Sequence, residues 1–417
     1  MSRKHARRPR THRERVRNVV DRLAADPNND VTFEIVDNPE IVGVVSTGCP
    51  DLDRALKIGG WPRGRISILH SPEGTGKTTL ALELCAEVQS VGGIAVYVDP
   101  ERKLDMRYAA KLGVETSELV WVKPTTIEGG FEAVEEILEM LLEDDDDIPI
   151  VVVWDSLHAG IARKVAMNKG KEVESYDAGA YGPEAASYAF CLKKALKVVD
   201  EKHIVFLAIS QVRTKIDGMV TSDKVGVGRG SLHYATVIVK LRSKGRRGVI
   251  KGKDDRRSGH SGKDVRAEIT KNQVAGEGPT AEFIIEHGTG IDYASSLVTA
   301  AINLELVETK ADGTPKKPNK AGWITLRWLD GEDGGFIEKK VRLGSAAKSW
   351  ALSEPGNFES LRASVYARIG VDGDEPDSSE PDFDDDDEAA EKITPIQRPS
   401  GRLARRRKKG VVNGSAD

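Results

Sequence analysis

Cysteine is scarce: among 417 residues only Cys49, Cys85 and Cys191 occur, far apart and with no CxxC pair. That spacing offers neither a disulfide framework nor a zinc ribbon, and a reducing, intracellular compartment is expected. Long apolar runs are missing too. No stretch approaches the ~20 residues a membrane-spanning helix needs, and the Arg-rich start Met1–Arg17 does not lead into the apolar segment of a signal peptide. A cytoplasmic protein without membrane contact is the expectation. Nor does either charge sign dominate: 62 Lys and Arg against 66 Asp and Glu leave a formal charge of -4, which supplies no global positive field for nucleic acid. Any such partner must be read locally.

What is present is enough apolar material for a sizeable core. Hydrophobic residues make up 39% and charged residues 31%, which excludes full-length disorder but leaves room for tails that never pack. The length allows two or three domains. From about Ile41, apolar runs at Arg65–His70, Ile94–Asp99, Ile148–Asp155, His203–Ser210 and Ala235–Leu241 alternate with helical patterns at Thr79–Ser90, Leu104–Leu112 and Gly130–Leu142. Short, continuously apolar strands between helices predict an α/β fold around a mostly parallel twisted sheet buried on both faces.

The flanks read differently. MSRKHARRPRTHRERVR is basic and lacks a core face, so it reads as an exposed arm, solvated or in contact with a partner, leading into a short helix that ends near Ala25. After about Gly288 a helix at Ser295–Val307, a strand at Trp323–Leu329 and a helix at Glu359–Ile369 predict a small α+β domain. Beyond Val371 the segment SSEPDFDDDDEAAE and the basic cluster Arg402–Lys409 predict a disordered tail. The expected organisation is an arm and helix over 1–40, a core over 41–287, a small domain over 288–371 and an acidic, then basic tail over 372–417.

Three polar segments interrupt the α/β pattern. Ala162–Gly182 and Arg213–Gly230 are both longer than the ~12–15 residues usual for a structureless loop in a compact domain, so a binding role is expected. Ser243–Lys263 is dense in Lys and Arg and reads as an extended hairpin tip, either a surface loop or a DNA contact.

The strongest local signal follows the first core strand. Ser71, Pro72, Glu73, Gly74, Thr75, Gly76, Lys77, Thr78 and Thr79 lie between a strand and a helix, the setting a phosphate-binding loop requires. Gly74 and Gly76 let successive N–H groups turn toward phosphates, and the helix N-terminus adds its positive end. Lys77 would neutralise β/γ oxygens and Thr78 would coordinate Mg²⁺. Ser71 stands where the usual pattern has Gly. In PIVVVWDS, Asp155 closes a strand; alone it reads as a cap or turn residue, but beside a phosphate loop it is a candidate to hold the metal directly or through water. Attack on a γ-phosphate also needs a carboxylate to orient or deprotonate water, with Glu101 the natural candidate and Asp99 and Asp105 its competitors. ATP and Mg²⁺ are the implied ligands.

At this point STGCPDLDRALKIGGWPRGRISILHSPEGTGKTTLALELCAE, followed in order by VDPERKLDMRYAAKLGV, VVVWDS, ISQVRTKI and ITKNQVAG, resembles the RecA family of recombinases. The resemblance covers roughly Val44–Tyr293 and extends more weakly to about Ile369. It implies a RecA-like P-loop NTPase core with a small α+β C-terminal domain, and an N-terminal segment used in oligomerisation. It implies Glu101 as the catalytic glutamate, Asp105 and Tyr108 as adenine contacts, and Gln211 as a sensor of the γ-phosphate coupled to DNA. Lys271 matches a lysine that reaches a neighbouring subunit's ATP. By the same resemblance the first two polar segments line a filament axis and hold DNA: Tyr181, Lys193, Arg213, Lys215, Ile216, Met219 and the turn Gly228, Arg229, Gly230 are the contacts implied.

The implied activity is that of a DNA-dependent ATPase that forms helical filaments on single-stranded DNA and exchanges strands with a homologous duplex. Loader or single-strand-binding proteins would be further partners. The acidic run Asp382–Glu391 would compete with DNA for the basic loops. Departures from the family pattern are Tyr181 in place of Met, Ala186 in place of Arg, Gln273 in place of a second lysine and His233 in place of an aromatic residue. Two alternatives stay open: a RecA-fold motor ATPase of helicase type, which would share the phosphate loop but not ISQVRTKI or KNQ, and a non-catalytic recombination accessory protein, which the losses at Ala186 and Gln273 keep alive.

Overall fold

The computed structural model describes residues 17, 19–20, 22, 43–141, 148–166, 182–217, 220–225, 229–244, 249–251, 260–276, 278–329, 335–342 and 345–371. The chain divides into two compact units, Met1–Val42 and Gly43–Asp417. In the first, Arg17, Val19, Val20 and Arg22 are helical.

The strands of the second unit are, in chain order, β1 (Val44–Val45), β2 (Trp61–Pro62), β3 (Arg65–Ser71), β4 (Ile94–Val98), β5 (Val120–Val122), β6 (Ile150–Asp155), β7 (Val205–Asp217), β8 (Val220–Val225), β9 (Val237–Ser243), β10 (Val249–Lys251), β11 (His260–Asn272), β12 (Ala281–Glu286), β13 (Gly290–Ile291), β14 (Trp323–Leu329) and β15 (Phe336–Arg342). The main sheet runs β13-β12-β11-β9-β3-β7-β6-β4-β5. From β9 to β5 every pairing is parallel, while β11 and β12 extend the sheet antiparallel.

Continuous apolar strands follow from burial on both faces, because alternate residues enter opposite layers. Leu69, Tyr97, Val153 and Leu207 pack with Leu80, Leu84 and Val88 of the helix Lys77–Ser90. Ile68, Val98, Val152, Trp154 and Phe206 face the other way, onto Phe131 and Val134 of the helix Ile127–Leu141 and Tyr188 and Leu192 of the helix Gly182–Glu201. There Phe131 stacks on Trp154 with ring centroids 4.2 Å apart. Both layers position the ends of β3, β4, β6 and β7, where the polar residues collect.

A third core lies in the C-terminal part. The helix Tyr293–Asn303, capped by Asp292 accepting from the Ser295 N–H, packs Leu297 and Val298 against Leu326 and Trp328 of the β14/β15 hairpin and against Phe358 and Leu361 of the helix Pro355–Val371. Tyr366 on that last helix donates to Asp53 Oδ2 at 2.7 Å, tying it to the helix Pro50–Ala55. Leu326 is fully buried, so Leu326→Ala is expected to cost about 2–5 kcal/mol through lost burial and the cavity left behind. Denaturant unfolding of the wild type and variant measures it.

One sequence expectation fails on this ground. Arg213–Gly230 is not a structureless loop: β7 continues to Asp217 and pairs antiparallel with β8 from Val212↔Val225 to Asp217↔Val220. Its Gly, Lys and Ser content suggests a loop, but the same stretch carries the β-branched Thr214, Ile216, Val220, Thr221 and Val225, and a two-stranded ribbon accommodates polar residues between them. In Ala162–Gly182 a short helix, Arg163–Ala166, occupies the start and residues 167–181 lie outside the described set. The region Ser243–Lys263 contributes β10, paired antiparallel with β11 as a hairpin requires.

Candidate active site

The loop after β3 turns on two left-handed glycines, Gly74 (φ 67°) and Gly76 (φ 111°). A Cβ at Gly76 would stand 2.2 Å from Ile285 Cδ1, a side-chain end that can turn aside, so it is the left-handed backbone angle that demands glycine there. The next residue, Lys77, opens the helix, and its ammonium folds back onto Ser71 O (3.0 Å), Ser71 Oγ (3.1 Å) and Pro72 O (2.9 Å). Ser71 thus gives Lys77 an acceptor that glycine lacks. Burial lowers the Lys77 pKa, against the opposing pull of Asp155, Glu73 and Glu101. The first-turn N–H groups of this helix begin beside the loop, the arrangement that suits phosphate oxygens.

Thr78 Oγ1 donates to Asp155 Oδ2 at 2.8 Å, and Tyr97 OH donates to the same oxygen at 2.7 Å. The end of β6 and the start of the helix are thereby linked through two hydroxyls and a carboxylate. Burial raises the Asp155 pKa although both hydroxyls pull it down. Oxygen donors with one carboxylate are what Mg²⁺ takes from a protein that leaves its remaining positions to phosphate and water, so Thr78 and Asp155 fit that ion.

The three candidate acids have different surroundings. Asp99 accepts from the N–H groups of Lys103 (3.2 Å) and Leu104 (3.0 Å) and so closes its own loop. Asp105 caps the helix Met106–Lys111, accepting from the N–H groups of Arg107 and Tyr108. Glu101 is held by side chains alone among its hydrogen bonds: Ser156 Oγ donates to Oε1 at 2.8 Å and Lys103 Nζ to Oε2 at 2.7 Å. Burial works to raise its pKa, but those two bonds prevail and keep the carboxyl below the usual range.

Tyr108 OH lies 2.8 Å from Thr79 Oγ1. Beside them, Gly74, Gly76, Lys263, His287 and Gly288 line an open cavity of about 170 Å³. Lys263 Nζ donates to Gly74 O at 2.7 Å, bringing β11 onto the phosphate loop. Gln211 pairs in register with Ser71 across β7 and β3, and its N–H donates to His158 Nδ1 at 3.2 Å. Sheet order therefore gathers the loop, Asp155, Glu101, Tyr108 and Gln211 around the ends of neighbouring strands.

Lys271 bonds within its own chain, to Ala235 O at 2.6 Å and His233 O at 3.5 Å, and burial lowers its pKa. Lys193 is exposed on the helix Gly182–Glu201, and Gly230 is exposed in the helix Arg229–Tyr234. Tyr181, Met219 and Gly228 lie outside the described residues, as do the side chains of Arg213, Lys215, Ile216 and Arg229. Sequence reasoning did not single out Tyr97, Lys103, Ser156 or Lys263. Ser156 directly follows Asp155 and offered a signal; Tyr97 looked like one more core aromatic in an apolar strand.

Comparison with known proteins agrees with this geometry. The RecA N-terminal domain family matches residues 29–292. A relative named Protein RecA from Streptococcus pyogenes is 31% identical over 332 residues, covering 79% of each chain. Another Protein RecA, from Clostridium botulinum, is 34% identical over 268 residues, covering 64% of this chain and 70% of its own. The phosphate loop, the parallel sheet and these matches together make the chain a member of the RecA family.

Proposed function

We propose that this protein is an ATP-dependent DNA recombinase that assembles as a filament on single-stranded DNA and pairs it with a homologous duplex. The observation that carries this reading is the continuity of β7. Up to Gln211 that strand pairs with β3 beside the phosphate loop, and from Val212 it pairs with β8 in the ribbon that holds the implied DNA contacts Arg213, Lys215 and Ile216. A change at the nucleotide displaces the strand end, and the same strand carries it into the ribbon.

In this reading residues 41–287 are the ATPase and DNA-binding core, 288–371 the C-terminal domain, and 1–40 the segment that joins neighbouring protomers. Lys77 and the first-turn N–H groups bind and orient the triphosphate of ATP. Thr78 and Asp155 hold Mg²⁺, which when bound neutralises phosphate charge. Glu101, ionised and fixed by Ser156 and Lys103, orients a water and takes its proton as it attacks. Gln211 reports the γ-phosphate to β7. Lys271 serves a neighbouring protomer's nucleotide once it leaves its own backbone partners. Cationic Lys193 and Arg213 hold the DNA backbone while apolar Ile216 and Met219 separate bases without reading them, as a homology search requires.

The test is strand exchange between a circular single strand and a homologous linear duplex with ATP, with electron microscopy of the same samples. Joint molecules and DNA-bound helical filaments are expected. Rings with unwinding would instead identify a motor, and filaments without ATP turnover an accessory protein.

A further inference from the structure

We infer that Tyr97 is a positioning residue for the metal site, fixing the Asp155 carboxylate so that Thr78 and Asp155 together face one divalent cation. The inference deepens the nucleotide-site reading above and rests on it. Tyr97 is 1% exposed, its ring packed in the core layer that contains Leu80, Leu84 and Val88. A phenylalanine would fill that space equally well; what distinguishes tyrosine is a hydroxyl, and a buried tyrosine hydroxyl needs a partner. The partner here is Asp155 Oδ2 at 2.7 Å.

The same oxygen accepts from Thr78 Oγ1 at 2.8 Å. Because the threonine proton is committed to the carboxylate, the remaining lone pairs of Thr78 Oγ1 are available to a cation. Two donors on Oδ2 set the rotation of the carboxyl group, and among the described residues Oδ1 accepts no hydrogen bond from a protein group. Without Tyr97 OH the carboxylate is oriented by Thr78 alone, the very group it should hold in place. Outer partners of metal-binding groups typically matter ~10–100-fold in metal affinity.

The test uses the full-length protein with Mn²⁺ as a paramagnetic probe and a non-hydrolysable ATP analogue at saturation. Free Mn²⁺ is counted by electron paramagnetic resonance for wild type, Tyr97→Phe, Asp155→Asn and the double variant. Analogue affinity in the presence of a chelator is measured in parallel. Tyr97→Phe is expected to weaken Mn²⁺ binding ~10-fold or more while leaving metal-free analogue affinity unchanged, and to add nothing in the Asp155→Asn background. Wild-type Mn²⁺ affinity in Tyr97→Phe overturns the inference. So does a loss of equal size with and without Asp155, which also exposes a merely destabilised fold. Failure of the wild type itself to bind Mn²⁺ with the analogue would overturn the nucleotide-site reading and this inference together.

Discussion

Lys77→Ala is expected to abolish nucleotide-dependent DNA binding. Lys77 is 7% exposed, and its ammonium is held at the mouth of the loop by three oxygens of Ser71 and Pro72. Those oxygens keep it at the helix N-terminus, where it adds a full charge to the partial positive charge of the first-turn N–H groups. Hydrogen bonds to a charged group contribute about 1.5–3 kcal/mol each, so loss of two phosphate bonds lowers analogue affinity roughly 10²-fold or more. The substitution also leaves Ser71 and Pro72 oxygens without their cation, loosening the loop. Fluorescence anisotropy of a labelled oligonucleotide, with and without analogue, measures the result. Nucleotide-stimulated DNA binding by the variant would refute the assignment of Lys77.

The second large effect is expected at Glu101. Glu101→Gln should retain analogue binding and filament assembly but slow hydrolysis by about 10²-fold or more, the scale of a lost catalytic base. Glutamine keeps the shape of the side chain and still accepts from Ser156, so the change tests proton acceptance more than folding. The neighbouring acids are poor substitutes: Asp99 is occupied with the Lys103 and Leu104 N–H groups, and Asp105 with the helix it caps. Single-turnover phosphate release, measured with saturating single-stranded DNA, provides the readout. Near-normal turnover would mean that another group takes the proton.

These expectations differ in how far they could be read from sequence. The phosphate loop was legible because its geometry is local: a strand, two glycines that permit left-handed angles and a lysine opening a helix lie within consecutive residues. Asp155 was legible only in company with that loop, since an acid at a strand end is otherwise a common turn residue. The ribbon β7/β8 was misread because composition suggested a loop where alternation and pairing made strands. Lys263 sat in a charged stretch whose composition gave no sign of its bond to Gly74 O.

Residue order alone determined the strand–loop–helix at Ser71–Thr79, the two-faced burial of the sheet and membership of the RecA family, because each depends on neighbours in the chain or on many motifs in order. Only the tertiary structure decided which acid is held by side chains and which are spent on backbone, and that Tyr97 meets Asp155 from 58 residues away. The physical reason is strand order. β4 and β6 lie side by side although β5 separates them along the chain, and a hydrogen bond of 2.7 Å depends on that adjacency.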